Sequence, residues 1–403
     1  MTRQILPELL APAGNWTMLQ AAIQAGCDAV YFGLKGLNMR VTANNFEESE
    51  LIKIVSVCHD ADVRAYLVVN VLVYEQERET VHRLVRAAKE AGVDAIICWD
   101  PAVIEECREQ SMPFFISTQA SVANMSAARF YHDLGAEQII LARECSLQDI
   151  ASIRKELPAL RLEVFIHGAM CVAVSGRCFM SQFLYGKSAN RGDCIQPCRR
   201  SYRLTDPETD KELDIGNNYI MSAKDLCTID ILERIVDAGV DSLKIEGRAK
   251  TPEYVKTVVS CYRRALDHIK AETFTDEVKK ELTGELRRVF NRDFTTGFYL
   301  GAPGPNGFYD QYGPRDGISK VYAGRVRNMF NKVMAAEIKL ESAELKIGDT
   351  VMIQGPTTGV HTQTVTSLQI NGAAITRGEK GMRVGMQVTV QVRPQDKVFL
   401  ITD

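Results

Sequence analysis

Cys171, Cys178, Cys194 and Cys198 fall within 28 residues of polar, turn-rich sequence. Thiolates gathered by a fold can hold zinc or an iron–sulfur cluster, and the interleaved Gly176, Gly186, Gly192 and Pro197 mark turns that let several sulfurs converge. The gaps of six, fifteen and three residues match neither zinc-ribbon knuckles nor ferredoxin runs, so the spacing leaves the metal unnamed. Cys27, Cys58, Cys98, Cys107 and Cys261 sit in apolar or helical contexts, where cysteine acts as a small core hydrophobe. The first residues lack an apolar core of signal-peptide length, so a cytoplasmic, reducing location without disulfides is expected.

Other chemically capable residues stand at the ends of apolar runs: Asn15, Asn70, Asp100, Gln119, Arg143 with Glu144, His167, and Lys244, Glu246 and Arg248. Singly, each is what any strand reaching solvent carries; together around one opening they describe a polar pocket.

A repeated phrase positions them. Gly26, Gly92, Gly135 and Gly239 each follow a helical pattern and precede a short apolar strand, which reads as a left-handed cap returning the chain from helix to strand. Further strands begin near Glu8, Arg64, Pro113 and Leu162, making eight by Glu246. Repeated strand–helix units in this number predict a closed parallel (β/α)8 TIM-like barrel, with the site at the strands' C-terminal ends. The cysteine segment, residues 168–203, follows the seventh strand and would hang over that mouth.

The barrel is expected to occupy residues 1–268, followed by a helical, then Gly/Pro-rich connector at 269–318. From 319 to 403 apolar and polar residues alternate between turns, which predicts a small antiparallel β-barrel or sandwich as an accessory binding domain. The chain is 46% hydrophobic and 25% charged, with a net charge of −3 and no apolar run long enough to span a membrane. Any nucleic-acid contact must therefore come from a local patch.

Residues 163–181, EVFIHGAMCVAVSGRCFMS, resemble the signature of the U32 peptidase family, also called collagenase-like proteins. The resemblance extends over nearly the whole chain, through LLAPAG from Leu9, STQ from Ser117, LARE from Leu141, SAKDLC from Ser222 and KIEGR from Lys244. Residues 186–200, GKSANRGDCIQPCRR, look most like the branch that hydroxylates cytidine in ribosomal RNA, with the transfer-RNA uridine hydroxylase branch close behind. The resemblance implies an oxygen-independent hydroxylase with a 4Fe-4S cluster, and prephenate or a related metabolite as oxygen source. Carried onto this chain, the cluster ligands would be Cys171, Cys178, Cys194 and Cys198, with Cys227 as runner-up for the fourth place. A small dicarboxylate donor would bind below, drawn by Lys244, Arg248 and Arg143, while Glu246 and His167 would handle protons.

RNA contact is expected from the cysteine segment. Between Cys171 and Arg203 lie Arg177, Lys187, Arg191, Arg199, Arg200 and Arg203 against the single acidic Asp193, with Phe179, Phe183, Tyr185 and Tyr202 interleaved as stacking faces. Arg191, Arg199 and Arg200 are the substrate-binding candidates within it. A partner subunit or electron donor is left open. Two competing readings are a U32-type peptidase, whose best nucleophile–base pair is Cys171 with His167, and a non-catalytic RNA-binding or maturation factor.

Overall fold

The computed structural model describes residues 6–40, 44–203, 205–212, 221–310 and 319–402. Gly26, Gly92, Gly135 and Gly239 all take positive φ, at 86°, 78°, 100° and 83°, so each turns a helix end back into a strand as anticipated. The strands so introduced are β2 (Ala29–Phe32), β4 (Ala95–Cys98), β6 (Gln138–Ile140) and β9 (Ser242–Ile245). They alternate with β1 (Glu8–Ala13), β3 (Arg64–Val69), β5 (Phe114–Ile116) and β7 (Arg161–Gly168). Parallel pairing runs from β1 through β7, and β9 closes the ring by pairing with both β7 and β1. This is the expected eight-stranded barrel, with helices from α1 (Trp16–Gln24) to α9 (Pro252–Lys270) between and after the strands. Its apolar core is continuous from Leu9 to Tyr299.

The barrel axis also carries a column of polar residues. At the floor, Glu8 accepts hydrogen bonds from Tyr66 (2.9 Å) and Ser242 (3.1 Å) and pairs with Arg64 and Arg161. One layer up, Lys244 Nζ meets Glu163 Oε1 at 2.7 Å with both side chains buried, and Gln138 donates to the same carboxylate. A buried pair of this kind costs desolvation, and removing one partner costs about 3–5 kcal/mol because the other charge is left bare.

Two short strands extend the sheet beyond the ring. β8 (Asp225–Cys227) lies antiparallel to the end of β7, and β10 (Phe294–Thr295) lies parallel to β8. The stretch read as a connector is bound into the barrel layer: Phe274, Leu282, Leu286 and Tyr299 join its core, and α10 (Asp276–Arg287) packs on α9. The last part of that stretch, 311–318, lies outside the described residues.

The C-terminal region is antiparallel β, as the alternation predicts. Its strands are β11 (Ser319–Phe330), β12 (Ala335–Leu340), β13 (Leu345–Lys346), β14 (Thr350–Gly355), β15 (Gly359–Thr364), β16 (Leu368–Ile370), β17 (Ala373–Ile375), β18 (Arg377–Gly378), β19 (Arg383–Gln387) and β20 (Lys397–Thr402). Eight form one sheet in the order β15-β14-β20-β11-β12-β19-β16-β17, while β13 and β18 pair separately. It has its own core, including Val326, Ile338, Val351, Val384 and Val398. It docks on the barrel through Met352 and Val360 against Ala21 of α1, and through Lys320 (2.6 Å) and Gln354 (2.9 Å) on Glu253 of α9.

Candidate active site at the barrel mouth

Where β7 ends, the chain leaves the barrel for the cysteine segment, which folds back as short turns and α7 (Met180–Tyr185). Three anchors hold it over the mouth. Glu144, just beyond β6, accepts from Ser175 N (2.9 Å) and Ser175 Oγ (3.0 Å). Arg143 Nη1 donates to Ala169 O at 2.8 Å, and Arg199 reaches the Met170 and Ala223 carbonyls. Gly192 presses on the loop after β2 so closely that a Cβ there would stand 2.1 Å from Asn38 O.

Beneath this cover lies a cavity lined by Cys171, Cys178, Cys194 and Cys198 above, and by Arg40, Arg143, Lys244, Glu246 and Arg248 below. The sequence expectation that these groups converge is met. Cys27, Cys58, Cys98, Cys107 and Cys261 are buried in the core, and no cysteine among the described residues is in a disulfide.

Four thiols around one cavity are a donor set of the kind that holds zinc or an iron–sulfur cluster. Among the described residues no group of three or more His, Cys, Asp and Glu side chains is already arranged to hold a metal ion. Burial raises the Cys198 thiol and Arg199 opposes it, while the neighbouring sulfurs of Cys171, Cys194 and Cys178 push it up further. Backbone N–H groups of Met180 (3.3 Å) and Gln196 (3.4 Å) point at the sulfurs of Cys178 and Cys194, an arrangement that favours thiolate and tunes iron–sulfur centres. Cys227 is elsewhere: it is buried on β8, opposite His167, with the Tyr262 hydroxyl at 3.9 Å, and it does not line this cavity.

Glu246 is the electrostatic centre of the lower half. Arg40 Nη2 meets its Oε1 at 2.8 Å and Arg143 Nη2 its Oε2 at 3.5 Å. Burial works against ionisation, yet Arg40, Arg143 and Arg248 hold the carboxyl at about 2. A group so acidic stays charged at neutral pH, with the guanidiniums of Arg40 and Arg143 held around it. Burial pulls Arg248 down to about 10; its Nη1 donates to Asn38 Oδ1 at 3.0 Å. Buried Arg143 Nε has no hydrogen-bond partner among the described residues, which leaves a donor for an incoming acceptor. Lys244 lines the cavity but is tied to Glu163. Asn70, Ser117 and Gln119 complete the wall as a hydrogen-bonded set, with Asn70 Nδ2 at 3.1 Å and 3.0 Å from the other two. Asn15 and Asp100 instead cap α1 and α4 (Pro101–Glu109).

Sequence reasoning missed Arg40. It lies well beyond β2, inside the loop, and only its position in a glycine-bounded segment after a barrel strand could have drawn attention to it.

His167 is not at the site. A β-bulge between Phe165 and His167 breaks the alternation that aims Phe165 into the cavity, and the ring packs outside among Tyr254, Tyr262 and Phe294. Cys171 faces the cavities and His167 lines neither, so the nucleophile–base pair is not assembled. Burial, with Lys250 adding to it, lowers His167 to about 3. The unfolded chain binds that proton near 6.5, so its stabilising share is present above about 6.5 and is lost as pH falls toward 3. We expect the wild-type melting temperature to drop between about pH 6.5 and 5, and His167→Gln to flatten that slope. Equal slopes in thermal melts would contradict it.

A second cavity lies across the Met170–Ser175 wall. It is mainly apolar, lined by Val172, Val174, Gly297, Phe298, Pro303 and Phe308, and it shares Arg143 and Cys171 with the first.

The basic patch is smaller than its composition suggests. Arg191 is half-buried and paired with Glu77, and Arg199 is buried against backbone carbonyls, so neither stands as an unpaired surface cation. Arg200 stays exposed, stacked on Tyr185 at 4.9 Å. Phe179, Phe183 and Tyr185 are exposed, Phe183 to 85%, as stacking faces would be and core residues are not.

A parallel barrel whose mouth is roofed by a four-cysteine loop defines the class of protein. Residues 14–308 match the Peptidase family U32, and the chain belongs to that family. A protein named collagenase from Porphyromonas gingivalis is 40% identical over 403 residues, covering 97% of both chains. The tRNA hydroxylation protein P1 of Bacillus subtilis is 36% identical, over 74% of this chain and 72% of its own. A 23S rRNA 5-hydroxycytidine synthase of Escherichia coli is 34% identical, over 75% of this chain and 47% of its own. Among the described residues no helix is long and apolar enough to cross a membrane.

Proposed function

We propose that this chain is an oxygen-independent RNA base hydroxylase acting on an unpaired cytidine or uridine. The observation that carries the reading is a pair of cavities sharing one wall, with Cys171 in it, the first with Arg40, Arg143, Glu246 and Arg248 at its base and the second with Phe298 and Phe308 among its walls. The charged cavity suits a small dicarboxylate of the prephenate kind, gripped by Arg40, Arg143 and Arg248. The apolar cavity suits a flat base turned out of its stack, with Phe298 and Phe308 as contact faces. A 4Fe-4S cluster would be held by Cys171, Cys178, Cys194 and Cys198, and would supply one-electron chemistry between donor and base. The chain's own groups bind and orient: the arginines fix the donor's carboxylates, Glu246 keeps those arginines aligned, and the cysteine loop keeps water out. Exposed Phe179, Phe183, Tyr185 and Arg200 would receive the neighbouring nucleotides. The names of the hydroxylating relatives support the reaction class.

The test is to incubate anaerobically purified protein with unmodified transfer and ribosomal RNA and prephenate, then digest the RNA to nucleosides for mass spectrometry. A cytidine or uridine heavier by one oxygen is the expected result; iron-replete protein that yields neither would overturn the reading.

The name of the collagenase relative favours a second reading, proteolysis. Gelatin cleavage abolished by Cys171→Ala would establish it. The position of His167 outside both cavities leaves that cysteine without a histidine base.

A further inference from the structure

The C-terminal region contrasts with the rest of the chain in charge. Residues 319–402 hold eleven Lys and Arg against six Asp and Glu, in a chain whose net charge is −3. Four of those cations are in register. Lys397 of β20 stands opposite Arg325 of β11, Arg325 opposite Lys339 of β12, and Lys339 opposite Arg383 of β19. Residues directly opposite in a sheet point to the same face, and here the flanking Val326, Ile338, Val384 and Val398 point into the core. The four cations therefore form one row across the outer face, about 14 Å long at the usual strand spacing.

Like charges placed directly opposite destabilise a sheet, so folding alone does not favour this row. The acidic residues on the face offset it only in part. Glu341 is shared between Arg325 and Arg327 at 3.5 Å each, and Glu337 stands 3.9 Å from Arg383. Lys397 has no acidic partner among the described residues. On the other side the row continues to Gln354, which faces Lys397 and bonds Glu253 in the first turn of α9, the helix that leaves the mouth just after Arg248. Phe330, 47% exposed at the end of β11, adds an aromatic surface.

We infer that this face is a phosphate-tracking surface for RNA, the row from Lys397 to Arg383 meeting successive phosphates of the strand whose base enters the mouth. It rests on the hydroxylase reading and adds a second, sequence-independent grip away from the chemistry. The base contacts lie at the mouth; this row supplies position.

The experiment uses the full-length, cluster-loaded protein and a transfer-RNA transcript, with affinity measured across a salt series. The variant Arg325→Gln/Lys339→Gln/Arg383→Gln is compared with Lys346→Gln/Arg377→Gln/Lys380→Gln, which removes equal charge around the separate β13–β18 pair. The first should lower the slope of log affinity against log salt by about 2–3 and weaken binding at moderate salt by about 10–100-fold. Iron content and donor KM should match wild type, the melting temperature should hold or rise as the like-charge contacts are removed, and the control variant should keep most of its slope. An unchanged slope in the first variant, or an equal loss in both, overturns the inference, as would a face that captures an acidic protein while RNA binding stays intact. Failure of the hydroxylase reading is distinguishable, since wild-type protein would then form no hydroxylated nucleoside whatever its salt slope.

Discussion

Protein carrying Cys194→Ala or Cys198→Ala, purified without oxygen, is expected to hold less iron and sulfide than wild type and to show weaker visible absorption, because each variant loses one of the four thiols that line the cavity. Cys227→Ala is expected to keep both. The reason is spatial: Cys194 and Cys198 line the cavity with Cys171 and Cys178, whereas Cys227 lies behind β7 against Tyr262 and lines neither cavity. Metal analysis of the three variants beside wild type decides it. One zinc per chain, or iron that survives Cys198→Ala and vanishes with Cys227→Ala, would reverse the ligand assignment.

The second large effect concerns Arg40 and Glu246. Three guanidiniums around one carboxylate leave about two positive charges at the base of the cavity, which suits a dianion. Replacing Arg40 with Ala removes a charge-assisted contact worth about 1.5–3 kcal/mol, so donor KM should rise about 10–100-fold while RNA affinity is unchanged. Glu246→Gln acts the other way on the empty protein. It strips the buried arginines of their counter-ion, which should cost about 3–5 kcal/mol, and added prephenate should restore more melting temperature than it does in wild type. The sign with pH follows from the acidic value of Glu246. With the folded carboxyl at about 2, its stabilising contribution is complete above about 4.5 and fades as pH falls toward 2. Steady-state kinetics with donor varied, and thermal melts with and without donor, check both. A normal donor KM in Arg40→Ala would remove that residue from the donor site.

Much of the barrel could be read from one recurring device. Glycine after a helix needs the left-handed region, and Gly26, Gly92, Gly135 and Gly239 each marked a return to a strand that exists. Convergence of Arg143, Glu246 and Arg248 with the cysteines was legible for the same reason, since strand ends in a parallel barrel share one mouth. His167 was not, because alternation along a strand carries no sign of a bulge, and one extra residue sends every later side chain to the opposite face. Arg191 and Arg199 were counted as free cations because their partners, Glu77 and the carbonyls of Met170 and Ala223, are distant in sequence or carried by backbone. The cross-strand row of Arg325, Lys339, Arg383 and Lys397 was hidden too, since it depends on register between strands scattered over the last third of the chain.

All four cysteines at the mouth belong to a single excursion between β7 and β8, while the ring beneath is closed by β9 pairing with β7 and β1 and filled by its own apolar core. A group held by those thiols would therefore be carried by one loop and not by the scaffold's core, unlike a zinc finger, where metal and fold arrive together. A group lost from that loop could be replaced on the standing barrel, with Cys171, exposed at the rim, as the point of entry.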